Sequence, residues 1–527
     1  MILTDSFNKQ SCVGCGACII CPKGCISMEY DEEGFLYPKV KANDCVSCGL
    51  CEKVCPVLNA PGKDDASDDD TNKPTVYGGY HKDETVRLDS SSGGIFTLLS
   101  EEIINNGGIV FGCGFDENMK AVHMGVEKLD DLYKLRGSKY VQSEIGDTYR
   151  QAKEALDSGR QVLFVGTPCQ TSGLKGYLGK EYDNLYTCDF ICHGVPSPKI
   201  FEKYIENLQE KSGAKVTGFR FRNKDTGWNQ SGLQQGTLIE FENGEKIRKS
   251  PAFKDSYMNG FLSDLTLRPS CYNCAFKAAP HQTADIMIAD FWGVDLVDES
   301  LNDKKGTSLV ILNNEHGKEL FDAVKKDFEG HEVEYYPALA KNPTIKRSAS
   351  KNLFRKGFFK KARNNDFAKL EKGYMSAFFW AFNKIFNIFF SMQFLKFGLV
   401  GLTNTVISYT INVLTLLSLK SFNLKYDYVI ANILAFGLSV LWSYNLNSRL
   451  VFKAEEGEKR STGRTLLKTY ASYGFSGIVL NNLLSTLWIQ VIGISKFISP
   501  LLNLIITIPT NFLLNKFWAY TGKNKKR

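Results

Sequence analysis

The sequence predicts a multidomain α/β protein with three parts: a small cysteine-rich head, a central domain of mixed strands and helices, and a C-terminal bundle of four transmembrane helices. Nine of the 15 cysteines lie in the first 55 residues, strand-like and helix-like segments alternate over 75–340, and long apolar runs follow residue 396. A chain of 527 residues is also too long for one ordinary core. The predicted boundaries are 1–58 for the head, 59–74 for a linker, 75–345 for the central domain, 346–392 for a basic segment and 393–522 for the bundle.

The head carries two cysteine runs, each closed by a Cys-Pro pair. Their members are Cys12, Cys15, Cys18 and Cys21, then Cys45, Cys48, Cys51 and Cys55. Cysteines spaced in this way are typical ligands of 4Fe-4S clusters, and the second run matches the bacterial two-cluster ferredoxin pattern at every position. Structural zinc or disulfides are the weaker interpretation. Zinc usually takes two separated cysteine pairs, and residues 1–10 lack the features of a signal peptide.

The two runs are expected to share their ligands. In two-cluster ferredoxins the fourth cysteine of each run ligates the other cluster. We therefore predict one 4Fe-4S cluster on Cys12, Cys15, Cys18 and Cys55, and a second on Cys45, Cys48, Cys51 and Cys21. The first run departs from the pattern, because only Ile19 and Ile20 separate its third and fourth cysteines. This spacing leaves the fourth ligand of the second cluster open between Cys21 and Cys25.

The linker and the net charge bear on mobility and on partners. The linker is acidic and has no apolar periodicity, so we expect a solvated tether that leaves the head free to move.

The net charge of +7 arises from local basic clusters, above all in 346–372, just before the apolar runs. Basic segments beside a membrane are attracted to anionic lipid. No zinc-finger, homeodomain or RNA-binding motif accompanies the charge, so we expect membrane lipid as a partner and no nucleic acid.

Four apolar runs predict the membrane domain. They cover 397–419, 428–446, 473–494 and 497–520, and each is close to the ~20 residues that cross a bilayer as a helix. Basic residues concentrate before the first run, between the second and third, and after the fourth. The positive-inside rule then predicts a multi-pass protein of the inner (cytoplasmic) membrane, with the head, the central domain and both termini in the cytoplasm. The aromatic segment 378–390 is expected to lie at the membrane interface.

The membrane region contains an internal repeat. Two Gly-x-x-Gly pairs and two Asn-containing helix ends recur: Gly398 and Gly401 with Gly474 and Gly477, and 447–452 with 515–520. We expect two like-oriented helical hairpins, with these glycines permitting close packing. The interior polar residues are mainly asparagines, which either bond helix to helix or serve a further function. Over 393–522 these motifs resemble the GtrA-like family of four-span proteins, which implies a role with polyprenyl-phosphate-linked sugars and cell-surface polysaccharide.

Two features of the central domain predict chemistry. The segment Ser90-Ser91-Ser92-Gly93-Gly94 opens a predicted helix, and its hydroxyls and backbone amides favour phosphate binding over simple capping. Four further thiols follow predicted strands or loops, namely Cys169, Cys192, Cys271 and Cys274. A fold that brings them together would suit a third 4Fe-4S cluster, a zinc site or a thiol reaction, and their spacing does not decide among these.

A set of ordered motifs in residues 1–350 resembles the coenzyme F-420 hydrogenase/dehydrogenase beta-subunit family. The motifs are 91–94, 137–143, 166–170, 192–194, 222–228, 271–274 and 284–293. The resemblance implies FAD beside iron–sulfur clusters and favours the third cluster. Carried to this chain, it implies that Ser91, Ser92, Gly93, Gly94, Lys139 and Tyr140 contact FAD, and that Asp290 and Trp292 lie near the flavin.

These expectations combine into one predicted function. The chain is expected to be a membrane-tethered iron–sulfur flavoprotein oxidoreductase that reduces a lipid-linked or sugar intermediate of surface polysaccharide synthesis. No GxGxxG fingerprint stands in a strand-turn-helix context, so reduced ferredoxin or flavodoxin is the expected electron donor. The alternative is a flippase or export protein for polyprenyl-phosphate-linked sugars with a fused regulatory redox domain. A third interpretation makes the spans a simple anchor.

Overall fold

The computed structural model describes residues 9–60, 74–225, 227–228, 235–277, 284–422, 424, 426–454, 460–495 and 498–521. Most of the predicted linker, 61–73, therefore lies outside the described residues, as does the basic tail after 521. The chain forms two compact units, Met1–Ala381 and Phe382–Arg527. The first unit contains the predicted head and central domain, and the second contains the predicted membrane bundle.

The head is a β-hairpin flanked by two cysteine loops. Strand β1 (Ile26–Tyr30) pairs antiparallel with β2 (Leu36–Val40). Each loop contains a Cys-Gly step that starts a short helical turn, which is Ala17–Ile20 in the first loop and helix α1 (Leu50–Lys53) in the second. Gly16 and Gly49 precede these turns at φ 77° and 73°, a left-handed conformation that glycine adopts at little cost. The two cysteine runs therefore fold into matching turns.

The central domain contains two sheets. Its strands are β3 (Thr75–His81), β4 (Ile109–Phe115), β5 (Ala121–Val126), β6 (Val162–Val165), β7 (Leu185–Phe190), β8 (Val216–Asn223), β9 (Gly236–Phe241), β10 (Lys246–Lys249), β11 (Ile286–Asp290), β12 (Ser308–Leu312) and β13 (Phe328–Glu332). Eight of them form a mixed sheet in the order β13-β3-β12-β11-β7-β6-β4-β5, in which β4, β6, β7 and β11 run parallel. Strands β8, β9 and β10 form a separate antiparallel sheet. This arrangement confirms the predicted mixed α/β domain.

Helices connect and cover these sheets. They are α2 (Glu84–Asp89), α3 (Ile95–Asn105), α4 (Thr148–Asp157), α5 (Pro168–Leu178), α6 (Pro198–Ser212), α7 (Ser256–Leu262), α8 (Val294–Val297), α9 (Glu315–Val324), α10 (Tyr335–Leu339), α11 (Arg355–Ala362) and α12 (Phe367–Lys372). Strand β6 is a continuous apolar run, Val162-Leu163-Phe164-Val165, and all four of its residues are buried, as expected for a strand covered on both faces. Helix α5 leaves the carboxyl end of β6, which places its first turn at the edge where a site can form.

The head packs directly onto the central domain, so the expectation that it moves freely is wrong. Val13, Cys15 and Val54 of the head share a hydrophobic core with Phe164 and Leu174 of the central domain. Two glycines of α5 allow this close approach. A methyl group at Gly173 would lie 2.9 Å from Cβ of Cys15, and one at Gly176 would lie 2.3 Å from the Val54 carbonyl oxygen. An acidic linker predicts a tether from its composition, but it carries no information about the surface on which the head docks.

The second unit is helical. Helix α13 (Ala377–Phe389) crosses the division between the units, and the helices that follow are α14 (Met392–Leu419), α15 (Asp427–Leu446), α16 (Thr462–Gly474), α17 (Asn481–Thr486) and α18 (Ser499–Leu514). Wider π-helical turns extend or join them at Asn447–Val451, Phe475–Leu480, Leu487–Val491 and Asn515–Ala519. By length and composition, two helices of the described chain, Met392–Phe422 and Asp427–Val451, are suited to cross a membrane. The segments of the other two predicted spans are helical over 462–491 and 499–519. That the chain crosses the membrane four times remains a prediction.

Asparagines and aromatic rings connect the helices of this unit. Asn412 Nδ2 donates to Asn432 Oδ1 at 2.8 Å, and Ser476 Oγ donates to Asn511 Oδ1 at 2.7 Å. The repeated helix ends meet through rings, because Phe452 stacks on Tyr520 with a centroid distance of 4.7 Å. Asparagines therefore do bond helix to helix. The predicted close packing at Gly398, Gly401, Gly474 and Gly477 is wrong, since a methyl group at each would meet no described atom within 4 Å.

Candidate functional site

The first group of cysteines lies where the head meets the central domain. Burial, to which the nearby Cys12 and Cys55 add, raises the pKa of Cys15 to about 12. Burial also raises the pKa of Cys18, to which Cys15, Cys12 and Cys55 add. Three cysteines of the first run thus lie beside the last cysteine of the second, the grouping that the crossed ferredoxin pattern predicts. That these four ligate one cluster remains a prediction.

The second group lines a cavity of about 420 Å³ in the head. Five cysteines line it: Cys21, Cys25, Cys45, Cys48 and Cys51. The sulfurs of Cys21 and Cys25 are 3.3 Å apart, and Cys25, which is only 2% exposed, also interacts with Cys45. The structure therefore places both candidate fourth ligands in the same cavity. Cys48 is exposed, so this group faces solvent.

The third group lies at the carboxyl edge of the parallel strands. Cys169 follows β6 in the first turn of α5, Cys192 follows β7, and Cys271 and Cys274 lie in and after a 3-10 turn at Pro269–Asn273. Neighbouring parallel strands end at the same edge of a sheet, which brings the loops together. All four cysteines line one pocket that is open to solvent. Burial, to which Cys192 and Cys274 add, raises the pKa of Cys271 to about 12.

These three groups fit iron–sulfur clusters better than single zinc ions. In the described part of the chain, no set of three or more His, Cys, Asp or Glu side chains is arranged to hold a single metal ion. The second and third groups surround cavities instead of converging on a point, and a cubane holds its four cysteines farther apart than one tetrahedral ion does. The donors are thiols, which matches the ligand preference of 4Fe-4S clusters.

A buried hydrogen-bonded chain supports Cys169. Thr167 Oγ1 lies 3.1 Å from the Cys169 sulfur and donates to Gln170 Oε1 at 3.0 Å. Gln170 Nε2 donates to Ser143 Oγ at 3.0 Å, and Ser143 lies 2.9 Å from His123 Nδ1. Burial lowers the pKa of His123 to about 4, so its imidazole is neutral at pH 7. These contacts fix the orientation of the loop that carries Cys169.

The predicted phosphate loop is well ordered, although several of its groups are already used. Ser138 N donates to Ser91 Oγ at 2.8 Å, Ser92 Oγ donates to the Thr307 carbonyl at 3.0 Å, and Gly93 N donates to Ser308 Oγ at 2.8 Å. The expectation of a free amide at Gly93 is therefore wrong. Gly94 begins α3 at φ 89°, and no side chain caps that helix in the described structure. The first amides of α3 remain the anion-binding feature of this loop.

Lys139 donates to backbone at the end of a 3-10 turn. Its Nζ donates to the carbonyl oxygens of Leu135 at 2.8 Å, Arg136 at 2.9 Å and Lys134 at 3.3 Å. The side chain is half-buried, and desolvation lowers the pKa of its ammonium to about 8. These three bonds fix the residues that end and follow the 3-10 turn Leu129–Lys134. The contact of Lys139 with FAD stays a prediction.

The remaining predicted flavin residues meet around a buried arginine. Arg222 Nη1 donates to Asp290 Oδ2 at 2.5 Å, and its guanidinium lies 5.4 Å from the ring centroid of Trp292. Arg222 also interacts with Tyr140, whose pKa is raised by burial. Trp292 stacks on Trp228 at a centroid distance of 5.3 Å and an interplanar angle of 10°. Tyr140, Asp290 and Trp292 therefore lie around one arginine, and their contact with a flavin stays a prediction.

Among the described residues around Arg222, two buried donors lack hydrogen-bond partners. Arg222 Nε donates to Gln235 Oε1 at 2.5 Å, which fixes both side chains. Arg222 Nη2 and Gln235 Nε2 are buried and find no hydrogen-bond partner within the described residues. An unpartnered buried donor costs about 1–3 kcal/mol. A ligand with acceptor oxygens or nitrogens would remove that cost at both atoms.

Family models recognise three known domains along the chain. A model of the 4Fe-4S dicluster domain matches residues 11–59, a model of the C terminus of the coenzyme F420 hydrogenase/dehydrogenase beta subunit matches 159–334, and a model of the GtrA/DPMS transmembrane domain matches 396–520. The chain is a fusion of these three families. Both resemblances inferred from the sequence are confirmed. The fusion protein is thus an iron–sulfur oxidoreductase-like subunit, related to F420 hydrogenase, that is joined to a GtrA-like membrane domain.

Individual relatives match parts of the fusion protein. One subunit of the F(420)H(2) dehydrogenase of Methanosarcina mazei is 27% identical over 178 residues, which cover 32% of this chain and 49% of that protein. The chain thus spans about half the length of this relative. The VorC subunit of the ketoisovalerate oxidoreductase of Methanothermobacter marburgensis is 36% identical over 56 residues, which cover 10% of this chain and 71% of that protein. A solved structure of the F420-reducing NiFe hydrogenase complex from Methanosarcina barkeri is 18% identical, with a TM-score of 0.34, and the match covers 58% of this chain and 94% of that one.

Several residues of the fusion protein's site were missed by sequence reasoning. Arg222 and Trp228 stand at the two ends of a motif that carried the family resemblance, so that motif was the available signal. No sequence pattern indicates a role for Gln235, because it lies just before β9 and no motif surrounds it. Lys224 is also buried, and its Nζ donates to the Arg87 carbonyl at 2.6 Å and to the Ser92 carbonyl, which ties the phosphate loop to β8.

Proposed function

We propose that the fusion protein is a membrane-tethered iron–sulfur flavoprotein oxidoreductase. It passes electrons from reduced ferredoxin or flavodoxin through 4Fe-4S clusters to FAD and then to a lipid-linked or sugar acceptor in cell-surface polysaccharide biosynthesis. The family matches supply the iron–sulfur and oxidoreductase parts of this proposal. The observation that carries the flavin part is the pair of buried donors, Arg222 Nη2 and Gln235 Nε2, that have no partner among the described residues, with Arg222 beside the Trp292 ring.

The residues around Arg222 suit a flavin ring. A bound flavin would supply the exchange between one-electron and two-electron transfer that side chains cannot perform. Asp290 holds Arg222 in place, and Nη2 of Arg222 with Nε2 of Gln235, which have no partner among the described residues, would donate to ring oxygens or nitrogens. Trp292, which stacks on the buried Trp228, offers an aromatic surface. The uncapped first turn of α3, beside Ser91, would accept the pyrophosphate.

The position of the second cysteine group suits an external donor. Cys48 is exposed, whereas Cys15 of the first group is buried against the central domain. A protein donor would therefore reach the group around Cys48 first. Ferredoxins and flavodoxins deliver single electrons, which matches iron–sulfur chemistry.

The membrane domain would confine the enzyme to the membrane that carries a lipid-linked acceptor. A tether that confines an enzyme and a lipid-linked substrate to one membrane raises their effective concentration. The GtrA-like match supports membrane association of the chain. A multi-pass topology in the inner (cytoplasmic) membrane, with both termini cytoplasmic, is part of this proposal.

The flavin proposal is tested by the cofactor content of the Arg222→Met variant. Full-length protein is purified without oxygen, and iron, acid-labile sulfide and flavin are counted for each chain. We expect the wild type to hold flavin and R222M to lose most of it while keeping its iron. Arg160→Met is the matched control, because Arg160 is partly exposed and pairs with Glu127 away from the cluster. Wild-type protein with iron but no flavin, or R222M with full flavin, contradicts the proposal.

A second candidate function is transport of polyprenyl-phosphate-linked sugars, with the redox unit as a regulator. The observation that favours it is a set of buried polar atoms in the membrane unit without partners among the described residues. They are Asn404 Oδ1, Asn447 Oδ1, Ser499 Oγ and Asn515 Oδ1. Full-length protein in vesicles would move a labelled polyprenyl sugar, and reduction of the clusters would change the rate. Equal transport by empty vesicles excludes this candidate.

A further inference from the structure

Arg268 connects the loop of the third cysteine group with the first cysteine group. Its backbone N donates to the Val195 carbonyl at 2.9 Å, and its carbonyl accepts from Cys271 N at 3.0 Å. The side chain extends in the other direction, to the head. Arg268 and Val13, the neighbour of Cys12, both line the cavity that contains Cys169, Cys192, Cys271 and Cys274.

The guanidinium of Arg268 contacts both the carbonyl oxygen and the sulfur of Cys12. Nε donates to the Cys12 carbonyl at 2.8 Å, and Nη2 lies 3.6 Å from the Cys12 sulfur. Nη2 also donates to the Leu36 carbonyl at 2.9 Å, and Nη1 donates to Gln142 Oε1 at 3.0 Å. Apart from the Cys12 sulfur, these acceptors are neutral oxygens.

The residues around Arg268 hold its guanidinium in place. The Tyr37 ring lies 4.2 Å from the guanidinium carbon. Gln142 Nε2 donates to the Val13 carbonyl at 2.9 Å, which fixes the amide that receives Nη1. Gly14 has φ 69°, and a methyl group there would lie 2.6 Å from Nη1. The arginine is therefore held from several sides, and no larger residue fits at position 14.

Arg268 differs from the other largely buried arginines of this unit. Arg87 pairs with Asp303, Arg222 with Asp290 and Arg355 with Glu33. Arg268 is 0% exposed, yet within the described chain no carboxylate forms an ion pair with it. A buried charge is costly unless an opposite charge compensates it. The Cys12 sulfur, which would be an anionic thiolate when it ligates a cluster, lies 3.6 Å from Nη2 of Arg268.

We propose that Arg268 is the counter-cation of the 4Fe-4S cluster held by Cys12, Cys15, Cys18 and Cys55, and that it raises the reduction potential of that cluster. This inference rests on the proposed function, which places a cluster there. On reduction by a one-electron donor the cluster gains one electron and one negative charge, and Arg268 neither gains nor loses a proton. A fixed cation beside the cluster stabilises the more negative, reduced form. The solvent-facing group around Cys48 has no such buried cation among the described residues, so this contribution to the potential applies to the inner cluster.

The test is a potentiometric titration of anaerobic full-length protein, followed by electron paramagnetic resonance. In Arg268→Gln we expect the reduction equilibrium of one cluster to shift at least about tenfold toward the oxidised form, which equals about 59 mV for a one-electron couple. The other clusters should titrate as in the wild type. Iron and sulfide content should be unchanged.

Two further variants separate charge from packing. Gln142→Glu leaves Arg268 in place but adds a carboxylate at the group that Nη1 contacts, so it should lower the potential of the same cluster even if R268Q does not fold. Arg355→Gln is the matched control, because Arg355 belongs to the same interface, donating to Glu33 and to the Leu267 carbonyl. A purely structural role for Arg268 predicts equal potentials in R268Q, Q142E, R355Q and the wild type, and that result overturns the inference. Wild-type protein without iron would instead refute the proposed function itself.

Discussion

Replacing Gly176 by alanine tests how tightly the head is fixed to the central domain. A methyl group at this position of α5 would lie 2.3 Å from the carbonyl oxygen of Val54, whereas real Cβ contacts are at least 3.0 Å. The atom in the way is backbone, so the cysteine loop that ends at Cys55 must move away from α5. Overpacking of this kind costs about 1–3 kcal/mol. Alanine has a higher helix propensity than glycine, which offsets about 1 kcal/mol of this cost. We therefore expect a net destabilisation of about 0–2 kcal/mol.

Gly463→Ala is the matched control for this prediction. Gly463 lies in α16, and a methyl group there meets no described atom within 4 Å. Only the propensity gain of about 1 kcal/mol applies, so the free energy of unfolding should rise. The assay is urea unfolding of detergent-purified full-length protein under anaerobic conditions, with iron retention measured alongside. We expect G176A to unfold at lower urea than the wild type and to lose iron sooner. If G176A is as stable as G463A and keeps its iron, the head is not docked on α5 as described.

Three further predictions concern pH, ligand choice and the membrane unit. Burial lowers the pKa of His123 to about 4 from 6.5, so between these values the unfolded chain takes up a proton that the folded chain does not. Stability should therefore fall by about 3 kcal/mol as pH drops from 6.5 to 4, and His123→Asn should remove that slope in pH-dependent unfolding. The sulfurs of Cys21 and Cys25 lie 3.3 Å apart and line one cavity. Each single serine variant should therefore keep its iron, and the double variant should lose one cluster. Loss of iron in only one of the single variants would contradict this prediction. Asn503 Nδ2 donates to Asn481 Oδ1 at 2.5 Å, so Asn503→Leu should destabilise the membrane unit by about 1 kcal/mol in detergent unfolding, and an unchanged midpoint would contradict it.

The parts of the fold that follow local rules could be predicted from the sequence. Cysteine spacing in the head matches the two-cluster ferredoxin pattern, and the grouping of Cys55 with Cys12 follows from the crossed ligands of that pattern. The gathering of Cys169 and Cys192 follows from a topological rule, since both come directly after parallel neighbours β6 and β7. Strand and helix alternation likewise predicts a mixed sheet.

The parts that depend on long-range contacts could not be predicted. Arg268 reaches Cys12 across 256 residues of sequence, and no periodicity records that contact. The docking surface of the head depends on Gly173 and Gly176, which in a sequence read only as weak points of a helix. The family resemblance implies that Lys139 contacts FAD, and no sequence pattern indicates that its ammonium also donates to three backbone carbonyl oxygens. A single sequence does not contain the packing that decides such cases.

The central claim is that the N-terminal cysteines connect a flavin in the same chain to an external electron source. The most direct measurement is the rate at which reduced ferredoxin bleaches the flavin absorbance of anaerobic full-length protein. The account predicts rapid bleaching in the wild type and none in a Cys48→Ser/Cys51→Ser variant that retains its flavin. Bleaching at the same rate in both proteins would contradict it.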